Sequence, residues 1–224
     1  MTPEELTGRA RSHIAELSDP PCALHSQVIA PFASLRRAAA LEGFDIVAAS
    51  GFRDFARQLA IWNGKFRGTI PLHDASGRPL EASRLAPAQR IDAILTWSAL
   101  PGASRHHWGT DLDLIDRRAI PTDYRVRLVA DEFVAPGPFA PLAAWLERHA
   151  LRFGFFRPYR GIVSGVSAEP WHYSFAPIAE PARRRLSAGL LRATLSAADL
   201  AGKQQVLERI EELHARYVAG IDWP

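Results

Sequence analysis

The sequence predicts an α+β fold: a small antiparallel sheet flanked by helices, with an additional C-terminal helical segment. Three observations lead there. Apolar residues recur at helical spacing in several stretches, starting with Val28, Phe32, Leu35 and Ala39. Short apolar runs between them have the length of strands. Two of these runs, Phe155-Phe156 and Trp171 to Phe175, follow one another with a turn and no helix between, which favours antiparallel pairing over a doubly wound parallel sheet.

In chain order, residues 1–25 read as a short amphipathic lead-in, broken at Asp19-Pro20-Pro21. The Val28–Ala39 helix stops at Gly43, and Phe44 to Ala49 reads as a buried strand. After the Ser50-Gly51 turn, Phe55, Leu59, Trp62 and Phe66 share one face of a second helix. Residues 67–103 are rich in Gly, Pro, Ser and Ala. They read as a long functional loop with one short helix near 87–97. Thr110 to Ile115 reads as a strand with Asp111, Asp113 and Ile115 on one side and Leu112 and Leu114 on the other. Phe139, Leu142, Leu146, Ala150 and Phe153 mark another helix, stopped by Gly154; a Gly-containing turn at 161–166 then joins the last two strands. From about Pro181 the chain is helical, with Val206, Ile210, Leu213 and Tyr217 as its apolar stripe. The expectation is one domain: a core of about 26–180, the lead-in 1–25 and a helical tail 181–224.

Composition narrows the function. The 224 residues are 47% hydrophobic, enough for a sizeable core. Twenty-seven Lys and Arg against 24 Asp and Glu leave a net charge of only +3, and the arginines at 183–185 and 192 carry no interleaved aromatics, so no nucleic-acid partner is expected. The single cysteine, Cys22, excludes an internal disulfide framework and a Cys-rich metal cluster. No stretch approaches the roughly 18 apolar residues of a membrane helix, so no membrane insertion is expected. The acidic opening Met1-Thr2-Pro3-Glu4-Glu5-Leu6 lacks the features of a secretory signal, giving a cytoplasmic expectation. Oligomeric state is left open.

Polar residues concentrate in three clusters: Ser50-Gly51-Phe52-Arg53 with Gln58, Ser104 through Asp113, and Glu169-Pro170-Trp171-His172. Catalytic zinc takes three ligands from His and carboxylate and keeps one position open. His106, Asp113 and His172 supply such a set, with Glu169 three residues from His172 and able to accept a proton from water. Asp111 shares a strand face with Asp113 and is the alternative carboxylate ligand. No His-Glu-x-x-His helix and no Gly-x-Ser-x-Gly elbow occurs, which disfavours the helical zinc-protease and serine-hydrolase patterns.

Ser104-x-His106-x-x-Gly109-x-Asp111-x-Asp113 followed by Glu169-x-Trp171-His172 resembles the signature of the D-alanyl-D-alanine metallopeptidases, the vancomycin-resistance type D,D-carboxypeptidases and D,D-dipeptidases grouped with lysostaphin-like enzymes and the hedgehog domain. Ser50 through Gln58 resembles the substrate-binding segment of the carboxypeptidase branch, and the likeness runs from roughly 28 to 176. The resemblance implies Zn2+ on His106, Asp113 and His172, with Glu169 as general base and later proton donor. It also implies that Arg53 binds substrate and stabilises the oxyanion, and that Gln58 and Ser104 help hold a terminal carboxylate. An Arg fork suits such a carboxylate. Two departures stand out: Asp111 where the family has a small residue, and Phe52 where the branch often has Tyr. The implied activity is hydrolysis of the terminal D-Ala bond of a peptidoglycan stem peptide or muropeptide. The alternatives are an endolysin-like endopeptidase and a zinc-stabilised, non-catalytic binding domain.

Overall fold

The computed structural model describes Met1–Trp223. It begins with a one-turn helix α1 (Pro3–Leu6), followed by a hairpin of β1 (Ile14–Ser18) and β2 (Pro21–His25). This corrects the reading of 1–25 as an amphipathic lead-in. The Asp19-Pro20 break is the turn of the hairpin, and the segment braces the site. His25 N–H donates to Gly109 O (2.8 Å), Phe52 N–H to Ala23 O (2.8 Å), and the Trp108 indole to Leu6 O (3.0 Å).

Next come α2 (Ile29–Leu41), β3 (Ile46–Ser50) and α3 (Phe55–Arg67). Asp54 caps α3, its carboxylate accepting from Arg57 N–H at 2.7 Å, and Gly68 ends it. Residues 67–103 are more ordered than a loop. They hold a two-stranded hairpin, β4 (Leu72–His73) and β5 (Pro79–Leu80), then α4 (Pro87–Leu95), which is the expected short helix. β6 (Asp111–Asp116), α5 (Ala140–His149), β7 (Phe155–Phe156) and β8 (His172–Phe175) follow. The C-terminal helices are α6 (Ala176–Arg185), α7 (Ala188–Ser196), α8 (Lys203–Glu208) and α9 (Ile210–His214), with a π-helical turn at Ala215–Ala219.

The main sheet has the order β3-β6-β8-β7 and is antiparallel throughout. The strand alternation predicted for 110–115 holds. Leu112, Leu114 and Tyr173 face a core completed by Val28, Phe32 and Leu35 of the first long helix segment and by Trp145 and Leu146 of α5. A second core lies on the other side of α3. It joins Trp62, Ile91 and Ile94 to Leu191, Leu195, Val206, Ile210 and Leu213 of the C-terminal helices. Asn63 fastens the two parts: its amide donates to Asp199 O and its carbonyl accepts from Ala201 N–H, both at 2.8 Å. No described helix is long and apolar enough to cross a membrane.

Candidate metal centre and cleft

Register brings the site together. Across three strands, Ser50 pairs with Asp113 and Asp113 with His172, so the clusters from residues 50, 113 and 172 form one row. A register shift between Ala48 and Ser50 turns β3 outward just before Arg53. His106 reaches the row from a 3-10 turn (Arg105–Trp108) that ends at Gly109. Gly109 has φ +65°, and a Cβ there would meet Ile14 Cδ1 at 2.4 Å and His25 N at 2.5 Å. Only glycine allows the chain to pass from His106 into β6 so close to the N-terminal hairpin.

His106, Asp113 and His172 each offer a ligand atom, and these atoms lie within 4.8 Å of one another. His106 Nε2 is 3.6 Å from Asp113 Oδ2, and His172 Nδ1 is 3.4 Å from Asp113 Oδ1. Each imidazole is held by its other nitrogen. His106 Nδ1–H donates to Gly51 O (2.8 Å), and His172 Nε2–H donates to Asp111 Oδ1 (2.9 Å). These bonds select the tautomers that leave His106 Nε2 and His172 Nδ1 aimed at Asp113. The Asp113 Oδ1 atom is buried with no hydrogen-bond partner. Two imidazoles and a carboxylate around an unsatisfied buried oxygen are the donor set of a zinc-type site, and the residues fit such an ion.

Asp111 has a different task. It is fully buried and accepts from Arg105 Nε (2.8 Å), Thr110 Oγ1, Ser174 Oγ (3.0 Å) and His172. Its oxygens are taken by these partners, so Asp113, not Asp111, faces the cluster. Sequence reading assigned no role to Arg105. The signal for it was the second acid on the strand face, since a carboxylate buried there needs a cation.

The electrostatics follow from burial and charge. Burial lifts Asp113 to a pKa of about 6, with the Glu169 carboxylate adding to the rise. Burial favours protonated Asp111 too, but the Arg105 charge and the His172 bond outweigh it and hold that carboxyl well below the usual range. Desolvation would depress His172, yet its bonds to Asp111 and Glu169 and the charge of Asp113 raise it to about 10. His106 is pushed well below the ordinary imidazole value by burial and by the Arg53 cation.

Glu169 Oε2 lies 3.1 Å from His172 Nδ1, on the cluster side of that ring. The Glu169 backbone is pinned by its N–H to Tyr159 O (3.0 Å), and the Tyr159 ring meets His172 edge-on at 4.9 Å. Tyr159 escaped the sequence reading because nothing in its local spacing ties it to residue 172. Trp171 packs against Phe133 and also lines the cleft.

The cleft in front of the cluster has a volume of about 630 Å³. Arg53, Ser104, His106, Asp113, Glu169 and His172 line it, and its walls come from residues 75–77, 97–100, 127–131 and 217–218. The 67–103 segment and the tail thus both shape it. Arg53 is held from behind: Nη1 donates to Gln58 Oε1 (2.9 Å) and Nη2 to Ser50 Oγ (3.3 Å). Gln58 is fully buried and lies outside the cleft lining, its amide donating to Ala99 O (2.8 Å). The structure therefore places Gln58 behind Arg53 rather than in the cleft. His107 also points away. Its Nδ1–H donates to Arg53 O (2.6 Å) and its Nε2 accepts from Gly102 N–H (3.1 Å), with burial lowering its pKa to about 4.

Comparison with known proteins covers the stretch that holds these three segments. A family model described as VanY: D-alanyl-D-alanine carboxypeptidase matches residues 22–178. An uncharacterized protein of Haemophilus influenzae is 43% identical over 103 residues, covering 45% of this chain and 70% of that protein. A D-alanyl-D-alanine carboxypeptidase of Enterococcus faecalis is 31% identical over 144 residues, covering 63% of this chain and 44% of that protein. Among solved structures, VanYB in complex with D-alanine-D-alanine aligns with a TM-score of 0.54 at 24% identity, over 83% of this chain and 89% of that one. A mutant of the vancomycin-resistance D,D-pentapeptidase VanY in complex with Zn(II) aligns at 0.53 and 23% identity, over 88% and 92%. At these identities the solved structures support the fold: mixed helices and antiparallel sheet, as the sequence predicted.

Proposed function

The chain belongs to the VanY D-alanyl-D-alanine carboxypeptidase family, and on that premise we propose that it is a zinc-dependent carboxypeptidase hydrolysing the terminal D-Ala bond of peptidoglycan stem peptides or muropeptides. The observation that carries the proposal is the buried His106–Asp113–His172 cluster with Glu169 against its open side. Those three residues would hold a zinc ion, which would supply Lewis acidity toward a carbonyl oxygen and a lowered pKa, about 7, for water.

The chain's own groups supply the rest. Glu169, 3.1 Å from His172 Nδ1, is positioned to take a proton from the attacking water and return it to the leaving amine. Arg53, fixed by Gln58 and Ser50, presents a cation to the cleft where negative charge develops on the scissile carbonyl. Asp111 keeps the His172 Nε2 proton in place and so keeps Nδ1 free as a ligand. Glu169 also speaks against the non-catalytic binding domain, since a structural metal needs no base beside it.

The test is mass spectrometry of products from a defined panel of tetra- and pentapeptides, with and without chelator. Release of a single terminal D-alanine, abolished by chelation and restored by zinc, is the expected result. Internal cleavage would turn the reading to an endopeptidase. Zinc binding with no hydrolysis would turn it to the binding domain.

A further inference from the structure

Of the 27 basic side chains only two are lysines, Lys65 and Lys203, and Lys65 lines the cleft. Three other strong cations line it with Lys65, and each has a protein partner. Arg53 is bonded to Gln58 and Ser50, Arg105 to Asp111 and Ser174, and Arg127 lies 3.9 Å from the buried Glu132. Among the described residues the Lys65 side chain makes no hydrogen bond and no ion pair, while its backbone carbonyl accepts from Gly68 N–H. Its place in the last turn of α3 does not account for it. Arg67 in the same turn is exposed and complements the helix dipole, whereas Lys65 is turned inward and half-buried. Burial lowers the Lys65 pKa, with Glu169 opposing and Arg53 adding to the fall, so the ammonium shares the cleft with both groups. A desolvated cation without a counter-ion costs stability, and an arriving anion relieves that cost.

Resting on the carboxypeptidase reading, we propose that Lys65 is the residue that recognises the free α-carboxylate of the departing C-terminal amino acid, and so makes the cleft selective for chain ends. Gln58, the side chain expected to help hold that carboxylate, is turned away behind Arg53, while Arg53 itself is partly committed to protein partners. Ser104, the other side chain expected there, lines the cleft but carries no charge, and with Arg53 given to the scissile carbonyl Lys65 is the cation left for the carboxylate. A compact ammonium with three rotatable donors suits a single carboxylate on a mobile peptide end.

The experiment compares a pentapeptide ending in D-Ala-D-Ala with its C-terminal amide on the zinc-loaded full chain. Calorimetry uses the Glu169→Gln background to prevent turnover. The acid is expected to bind about 10- to 100-fold more tightly than the amide, and adding Lys65→Met should weaken the acid to the level of the amide while leaving the amide unchanged. Lys65→Arg, which keeps the charge, should restore most of the preference, and this rescue separates charge recognition from a folding defect. In otherwise wild-type enzyme, Lys65→Met should raise KM for the acid by a similar factor with kcat little changed. Acid-over-amide preference that survives Lys65→Met overturns the proposal, as does failure of the acid to bind. Acid-selective binding that depends on Lys65 without any hydrolysis would overturn the carboxypeptidase reading and leave the Lys65 assignment standing.

Discussion

The core behind the sheet and the core beyond α3 are buried to a similar degree, but the buried residues of the first lie inside the stretch that the family model matches, whereas the second draws on residues beyond both its ends. Behind the sheet, strands and helices within 24–175 supply every fully buried side chain, and β6 and β8, which carry Asp113 and His172, are its floor. Beyond α3, Trp62 meets residues more than a hundred positions away, and the Asn63 amide closes the gap to Asp199 and Ala201. The first core backs the strands that carry the candidate ligands Asp113 and His172; the second holds the helix that carries Gln58 and Lys65 and follows closely on Arg53. The difference teaches that α7 to α9, which lie outside the 22–178 family match, are structurally continuous with the wall of the cleft.

The largest effect should come from the sheet side. Glu169→Gln is expected to lower hydrolysis by about 10²- to 10⁴-fold while the zinc content stays at one per chain. Steady-state rates alongside metal analysis check this, and a variant that loses the metal together with activity would place Glu169 among the ligands instead.

Next, Leu213→Ala opens a cavity in the helical core and should cost about 2–5 kcal/mol, matched by Leu146→Ala behind the sheet. Denaturant unfolding should show one shared transition for both variants. A Leu213→Ala protein whose main transition is unmoved would make the tail an appendage and break the comparison.

Asp111→Asn is smaller. Loss of the charge that orients His172 should weaken zinc binding by about 10- to 100-fold, read by competition with a chelating dye, with the fold retained. Unchanged affinity would mean that Arg105 and Ser174, not His172, are the reason for this acid.

The smallest effect at neutral pH concerns His107. Burial lowers its pKa from 6.5 to about 4, so between those values the unfolded chain binds a proton that the folded chain does not. Its contribution to stability is complete above about pH 6.5 and is lost as pH falls toward 4. The melting temperature of zinc-loaded His107→Gln should therefore depend less on pH across that window than the wild type does. Equal slopes would remove His107 as the acid-sensitive tie between Arg53 and Gly102.

Much was legible from the sequence because it is written locally. Period-two alternation separated Leu112 and Leu114 from Asp111 and Asp113, apolar spacing marked α2, α3 and α5, and the spacing of His106, Asp113, Glu169 and His172 exposed the chemistry. The 1–25 hairpin was hidden because its strands are short and half-exposed, and the β4–β5 pair because two residues per strand carry no period. Why the other acid, Asp111, is turned to Arg105 and His172, that Gln58 turns behind Arg53, and that Tyr159 and Lys65 share the cleft were decided by tertiary structure alone. Those choices depend on strand register and on which buried charge finds a partner. Both are set by contacts across 40 to 140 residues, a scale on which residue spacing holds no information.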